Sequence, residues 1–163
     1  MNTDYVLAFK AVTTSIYNKR MLSCFVQRSP ILCVEYKLGK VTCGVDPRLP
    51  LFVAVKKHIH IDPCILDISC SYDKILLVKI PVTDTIRIKH EVWFTHKISH
   101  TNGLSIKQQL DDSRILNLSD HDKTSRFYYY AHSVIPLEII PDNTNLVHYI
   151  VEKEKQYNIP FWK

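Results

Sequence analysis

Ile75-Leu76-Leu77-Val78-Lys79-Ile80-Pro81-Val82-Thr83-Asp84-Thr85-Ile86-Arg87-Ile88-Lys89-His90 is the stretch that decides the fold class. Its first half is a short apolar run with no glycine, bounded by turn-forming residues. Its second half alternates: Ile86 and Ile88 fall on one face of a strand, Arg87 and Lys89 on the other. One face is therefore expected to be buried and the other solvated. The segment predicts two strands, Ile75 to Val82 and Thr85 to His90, paired with each other through a turn at Thr83-Asp84.

The same pattern of β-branched and aromatic runs separated by turn signals extends both ways. Upstream, Tyr5 to Val12 predicts a strand. Ile31 to Lys37 and Lys40 to Val45 flank Leu38-Gly39 as a tight hairpin. Asp46-Pro47-Arg48-Leu49-Pro50 is a turn, because neither proline can donate to a ladder. Leu51 to Val55, His58 to Ile61 and Ile65 to Ser69 predict strands, as do Val92 to His96, Phe127 to Ile135 and Leu137 to Ile140 further on. Residues 117–126 read as an exposed polar loop.

Helical signals are few. Leu104 to Leu110 predicts a short helix. Asn145 to Gln156 is the better case: Asn143 or Thr144 caps it, Leu146, Val147, Ile150 and Val151 make its apolar stripe, and Asn158 and Pro160 end it. The expected fold is mainly β (a β-rich α+β domain over residues 1–163). It is a sandwich or partly open barrel of short antiparallel strands, with the carboxy-terminal helix near residues 145–156 packed on it.

Composition narrows the function classes. With 46% apolar and 23% charged residues, the 163-residue chain has an ordinary globular balance. Its apolar runs are too short to span a bilayer as helices. Met1-Asn2-Thr3-Asp4 has no signal-peptide character, and the five cysteines are an odd number set mostly in strand-like segments. An unexported, intracellular protein with reduced thiols, cytoplasmic or nuclear, is the expectation. The three glycines, Gly39, Gly44 and Gly103, are scattered. Walker and dinucleotide-binding loops need clustered glycines, so the usual nucleotide chemistry is disfavoured and no cofactor is expected.

Candidate chemistry is thin. On a strand, His58, His60 and Asp62 project from one face, with the ligand types zinc takes. Their His-x-His-x-Asp spelling resembles the metal motif of metallo-β-lactamase-like hydrolases. Pro63 stands where that family has its next histidine, and the glycine-rich loops are missing, so the family is rejected. A solvated polar strand face is the competing reading. Glu35-Tyr36-Lys37, with Asp4 upstream, carries the carboxylate-x-lysine spelling of metal-dependent nucleases without further acids. His96 and His100, and His121 and His132 near Asp120, Asp122 and Ser133, supply letters for a triad but no nucleophile elbow.

What remains is binding. Residues 1–110 hold 15 Lys+Arg against 8 Asp+Glu, giving +7; residues 111–163 hold 6 against 8, giving −2. A basic body suits an acidic partner or a polyanion. Aromatic and basic residues interleave at Tyr17-Asn18-Lys19-Arg20, around Trp93, and at Arg126 to Tyr130. The first expectation is a non-enzymatic adaptor or assembly subunit working through protein contacts, its apolar tail at Phe161 and Trp162 docking a partner. The alternative is a nucleic-acid-binding β-barrel using a basic, aromatic strand face. Under either, Lys56, Lys57, Arg87, Lys89, Trp93, Lys97, Arg126 and Tyr128 are the candidate contacts. A metal-dependent enzyme centred on His58, His60 and Asp62 is the remote third.

Overall fold

Tyr5–Thr14 (β1) organises the sheet. It runs antiparallel to Lys74–Pro81 (β6), in register from Tyr5↔Pro81 to Val12↔Lys74. The computed structural model describes residues 1–23, 33–45, 50–56, 72–88 and 128–163. Within them, Met21–Ser23 (β2) returns from a hairpin beside β1 and pairs with Glu35–Tyr36 (β3). On the far side, β6 pairs with Ser133–Ile139 (β9), and β9 with Thr42–Cys43 (β4). The resulting order is β3-β2-β1-β6-β9-β4. Leu51–Phe52 (β5), Tyr128–Ala131 (β8) and Thr85–Ile88 (β7) form a second sheet, in the order β5-β8-β7.

The two sheets share their strands. A 3-10 turn at Val82–Asp84 leads β6 into β7, and His132 leads β8 into β9. The His132 N–H donates to Asp84 O at 2.9 Å, and the Ser133 hydroxyl donates to the Asp84 carboxylate, so both bends are tied at one corner. β6 and β7 were expected to pair with each other. Instead β6 pairs with β9 and β7 with β8, so the Thr83-Asp84 turn bends a strand rather than closing a hairpin. The Leu38-Gly39 turn is likewise present, with Gly39 at φ +76°, where a side chain would be strained. Its flanks do not pair: β3 goes to β2 and β4 to β9. The turn joins the two edges of the six-stranded sheet, and the Gly39 N–H donates to Pro136 O at 2.7 Å.

That junction and a second seam curl the sheet into a nearly closed barrel. Val53 donates its N–H to Tyr129 O at 3.0 Å, continuing the β5–β8 pairing; one residue later Ala54 bridges to Phe9. The free edge of β1 is thus tiled by three segments. Leu7 bonds to Pro160 and Trp162, Phe9 to Ala54, and Val12 to Thr14 pair with β2. The register shift at Leu77/Val78, opposite Pro136, lets a proline sit in a paired strand, since bulges tolerate a missing donor.

Alternation sorts β1 and β6 onto two cores. Ala8, Val12, Leu76, Val78 and Ile80 face the barrel interior with Tyr36, Val53, Val55, Tyr129 and Val134. Leu7, Phe9 and Leu77 face outward, where a helix covers them. Burial of each valine, leucine, isoleucine or phenylalanine among them contributes roughly 1.5–3 kcal/mol relative to exposure. Lys10 shares the interior parity of Ala8 and Val12 and is buried. Its Nζ donates to Phe52 O at 2.8 Å and lies 5.7 Å from the Tyr36 ring centre, so the cation reinforces the seam between β1 and β5.

The helix is Leu146–Tyr157 (α1). Asn145 caps it, its side-chain oxygen accepting from the N–H groups of Val147 at 3.1 Å and His148 at 3.3 Å. Asn158 ends it in the left-handed conformation at φ 54°. Tyr149 and Ile150 are buried against Phe9 and Phe161, whereas Val147 and Val151 of the expected stripe are exposed. The buried face is rotated by one position because Tyr149 and Tyr157 bring phenols to Glu138 on β9. Both hydroxyls donate to that carboxylate, the Tyr157 bond at 2.8 Å, and Lys153 Nζ lies 2.8 Å from it. Burial pushes Glu138 up, but the bonds from Lys153, Tyr149 and Tyr157 outweigh it and hold the carboxyl below its usual range. Burial, aided by Glu138, raises Tyr149 strongly and Tyr157 to about 12.

Candidate functional site

The β1–β2 hairpin projects from the end of the barrel. Its tip, residues 15–20, is held by main-chain bonds from Ser15 N–H to Arg20 O at 2.8 Å and from Lys19 N–H to Ser15 O at 3.0 Å. Lys19 takes the left-handed conformation at φ 54°, and Asn18 Oδ1 accepts from Arg20 N–H at 3.2 Å. The geometry leaves Ile16 93% and Tyr17 97% exposed. An aliphatic and an aromatic side chain held this far out have no role in this chain's own core.

The β3–β4 connection lies beside that tip. Met21 pairs with Tyr36, so the same register carried one step further sets Arg20 next to Lys37. An ion pair between Arg20 and Glu35 fastens the two loops, and Lys37 Nζ is 4.0 Å from the same carboxylate. The hydrogen bond from Arg20, with Lys37 nearby, keeps Glu35 below the usual carboxylate range. Leu38 is 47% and Val41 63% exposed, with Lys40 between them. Four exposed apolar side chains therefore lie on these two loops with Lys19, Arg20, Lys37 and Lys40; Glu35 stands at the base of one loop, and Asp73, whose carboxylate accepts from the Thr14 N–H at 2.8 Å, at the base of the other. Residues 15–20 and 37–41 carry these four cations and no carboxylate of their own.

The residues singled out from sequence fall elsewhere. Lys57, His58, His60, Asp62, Lys89, Trp93, Lys97 and Arg126 lie outside the described residues, as do Leu104 to Leu110 and the loop 117–126. Tyr128 is described in its backbone only. Arg87 is exposed on β7, with Ile86 on the more buried face, as alternation requires. Lys56 is half-exposed, with Nζ 3.8 Å from Glu154, and its N–H donates to Trp162 O at 2.8 Å; it ties the seam to the helix. Phe161 is 2% exposed, its ring 5.0 Å from that of Phe9, and Trp162 meets Tyr129 edge-on at 5.0 Å. This apolar tail is docked on its own chain.

Of the catalytic spellings, His96, His100, Asp120, His121 and Asp122 lie outside the described residues. Asp4 and Glu35 sit near opposite ends of β1, about 30 Å apart at the rise of an extended strand. The Ser133 hydroxyl donates a hydrogen bond to the Asp84 carboxylate in the corner between β8 and β9. Among the described residues no three His, Cys, Asp or Glu side chains are grouped to hold a metal ion. Cys33 and Cys43 are free thiols, and burial pushes the Cys33 thiol up. No helix among the described residues is long and apolar enough to cross a membrane.

The tip residues carried a signal in the sequence: Tyr17 beside Lys19 and Arg20, in a connection between strands. Ile16 and the Lys37-to-Val41 loop gave none, because only the β2–β3 register brings them to the same place. Compared with known protein families, curated proteins and solved structures, the chain matches none.

Proposed function

We propose that this chain is a non-catalytic binding module, an adaptor or assembly subunit, that docks a protein partner on the barrel end formed by residues 15–20 and 37–41. The observation that carries the reading is the near-complete exposure of Ile16 and Tyr17 on a hairpin whose turn is internally hydrogen-bonded. Clustered exposed apolar groups rimmed by charge are the mark of interaction surfaces. Tyrosine and arginine are favoured anchors because they bring large contact area with few rotors to freeze. A turn held by its own main-chain bonds loses little further freedom on docking.

A second reading has its own support. Tyr17 beside Lys19 and Arg20 is the pairing that stacks a base and holds its phosphate. It is the weaker one, because Ile16, Leu38 and Val41 offer nothing on which a base can stack.

Site-specific photocrosslinking tests the binding reading. A photoreactive residue replaces Tyr17 in one variant and Val151, exposed on the helix, in a control. Proteins from the native source that crosslink at Tyr17 and not at Val151 are purified and tested against the wild-type chain and Ile16→Asp. Direct binding that Ile16→Asp abolishes is the expected result. No crosslink at Tyr17 above the Val151 level refutes the reading.

A further inference from the structure

We infer that the partner segment recognised at the barrel end is acidic and apolar together: an extended stretch of protein whose carboxylates flank at least two large apolar side chains. This rests on the reading of that end as a docking surface and adds the chemistry of what docks. The charge argument comes first. The two loops carry no carboxylate of their own; Glu35 on β3 already faces both Arg20 and Lys37, and Asp73 is engaged by the Thr14 N–H. Lys19 and Lys40 have no carboxylate partner among the described residues; Lys19 follows Ile16 and Tyr17 in the hairpin tip, and Lys40 lies between Leu38 and Val41. An incoming basic segment would meet four cations that outnumber the carboxylates of Glu35 and Asp73; an acidic one would supply the missing counter-charge.

The apolar argument comes second. Surface cations steer encounter and select sign, but they add little affinity once screened by salt. Affinity must come from Ile16, Tyr17, Leu38 and Val41, which require apolar side chains on the partner. A purely acidic polymer would satisfy the rim and leave the centre wet. A nucleic acid would satisfy the rim and one ring, leaving three aliphatic side chains without a counterpart. An acidic segment with spaced apolar residues satisfies both.

Fluorescence anisotropy on the full chain tests this with four defined probes at low salt. They are a peptide alternating Asp or Glu with Leu or Phe, the same peptide with lysine at every acidic position, the same acidic peptide with serine at every apolar position, and a single-stranded oligothymidylate. The acidic-apolar peptide is expected to bind best, and its affinity to fall as salt is raised. Lys19→Glu combined with Lys40→Glu should weaken it about tenfold, and Ile16→Ser about fivefold. Lys155→Glu, on the exposed helix, should leave it unchanged.

Equal binding of the lysine peptide overturns the charge assignment. Equal binding of the serine peptide overturns the apolar one. Tighter binding of oligothymidylate replaces the inference with the nucleic-acid reading. If no peptide binds while Tyr17 still crosslinks a protein that binds directly, the inference is wrong and the docking surface stands. If that crosslink is also missing, both fall.

Discussion

Phe9 and Ala54 exchange two main-chain hydrogen bonds, each 2.9 Å long, and this single pair closes the seam between the two sheets. Phe9 also sends its ring outward onto Phe161 and Tyr149. One residue therefore holds the barrel shut through its backbone and the helix down through its side chain.

Phe9→Ala is expected to destabilise the chain by about 3–5 kcal/mol, because the deleted ring leaves a cavity under α1 that packed neighbours cannot fill. Ala54→Pro should be at least as damaging, since it removes the N–H that bonds Phe9 O. Urea denaturation followed by circular dichroism checks both. Midpoints within error of wild type would show that the seam does not support the fold.

Two neighbouring residues on the helix should behave oppositely. Ile150 is buried and Val151 is half-exposed. Ile150→Ala is expected to cost about 2–5 kcal/mol and Val151→Ala less than about 0.5 kcal/mol. Similar losses for the two would mean that the helix packs by a different face.

The contrast also marks what could be read in advance. Local pattern found β1, β6 and β7, but it missed β2 and ran β8 into β9, which break at His132 and continue through Leu137 to Ile139; His58 to Ile61, Ile65 to Ser69 and Val92 to His96 lie outside the described residues. Thr85 to Ile88 is a strand, Gly39 turns, and the helix is present, though Asn145 caps it rather than Asn143 or Thr144. Partnership was not legible, because pairing depends on residues far away in the chain. Thr83-Asp84 and Leu38-Gly39 have hairpin spelling, yet each sends its flanking strands to different neighbours. The helix face shifted because tyrosine is ambiguous in a hydropathy pattern. Tyr149 is buried through a bond to Glu138, a residue no periodicity connects to it. Lys10 was hidden for the converse reason: a cation inside an apolar strand is buried because Phe52 offers a carbonyl.

Stability should fall at both ends of the pH scale through the Glu138 cluster. Glu138 titrates lower folded than unfolded, so its contribution is present above its ordinary value near 4.3 and fades as pH falls through the depressed one. Tyr157 titrates higher folded, so its contribution is complete below its ordinary value near 10 and fades as pH rises towards about 12. Glu138→Gln should be less stable than wild type at neutral pH, with the gap narrowing as the medium is acidified below about pH 4. Denaturation midpoints across pH measure this. A gap constant with pH would assign Glu138 a purely packing role.

At the barrel end the fold should be indifferent to sequence. Ile16→Ser with Tyr17→Ser is expected to leave the unfolding free energy within about 0.5 kcal/mol of wild type, because neither side chain is buried. Denaturation of the double variant checks it. A large loss would mean that these residues serve the hairpin rather than a partner.

The strand-like contact at Phe161 has a consequence for synthesis. Leu7 and Phe161 are 154 residues apart, and the edge of β1 at Leu7 stays uncovered until the tail arrives. At translation rates of about 5–20 residues per second, that interval is about 8–30 s. Through it the nascent chain displays an apolar strand edge, the kind of surface that recruits other strands and holdase chaperones. Yield in the cell should then depend on how well that edge is shielded during translation, more than on the stability of the finished barrel.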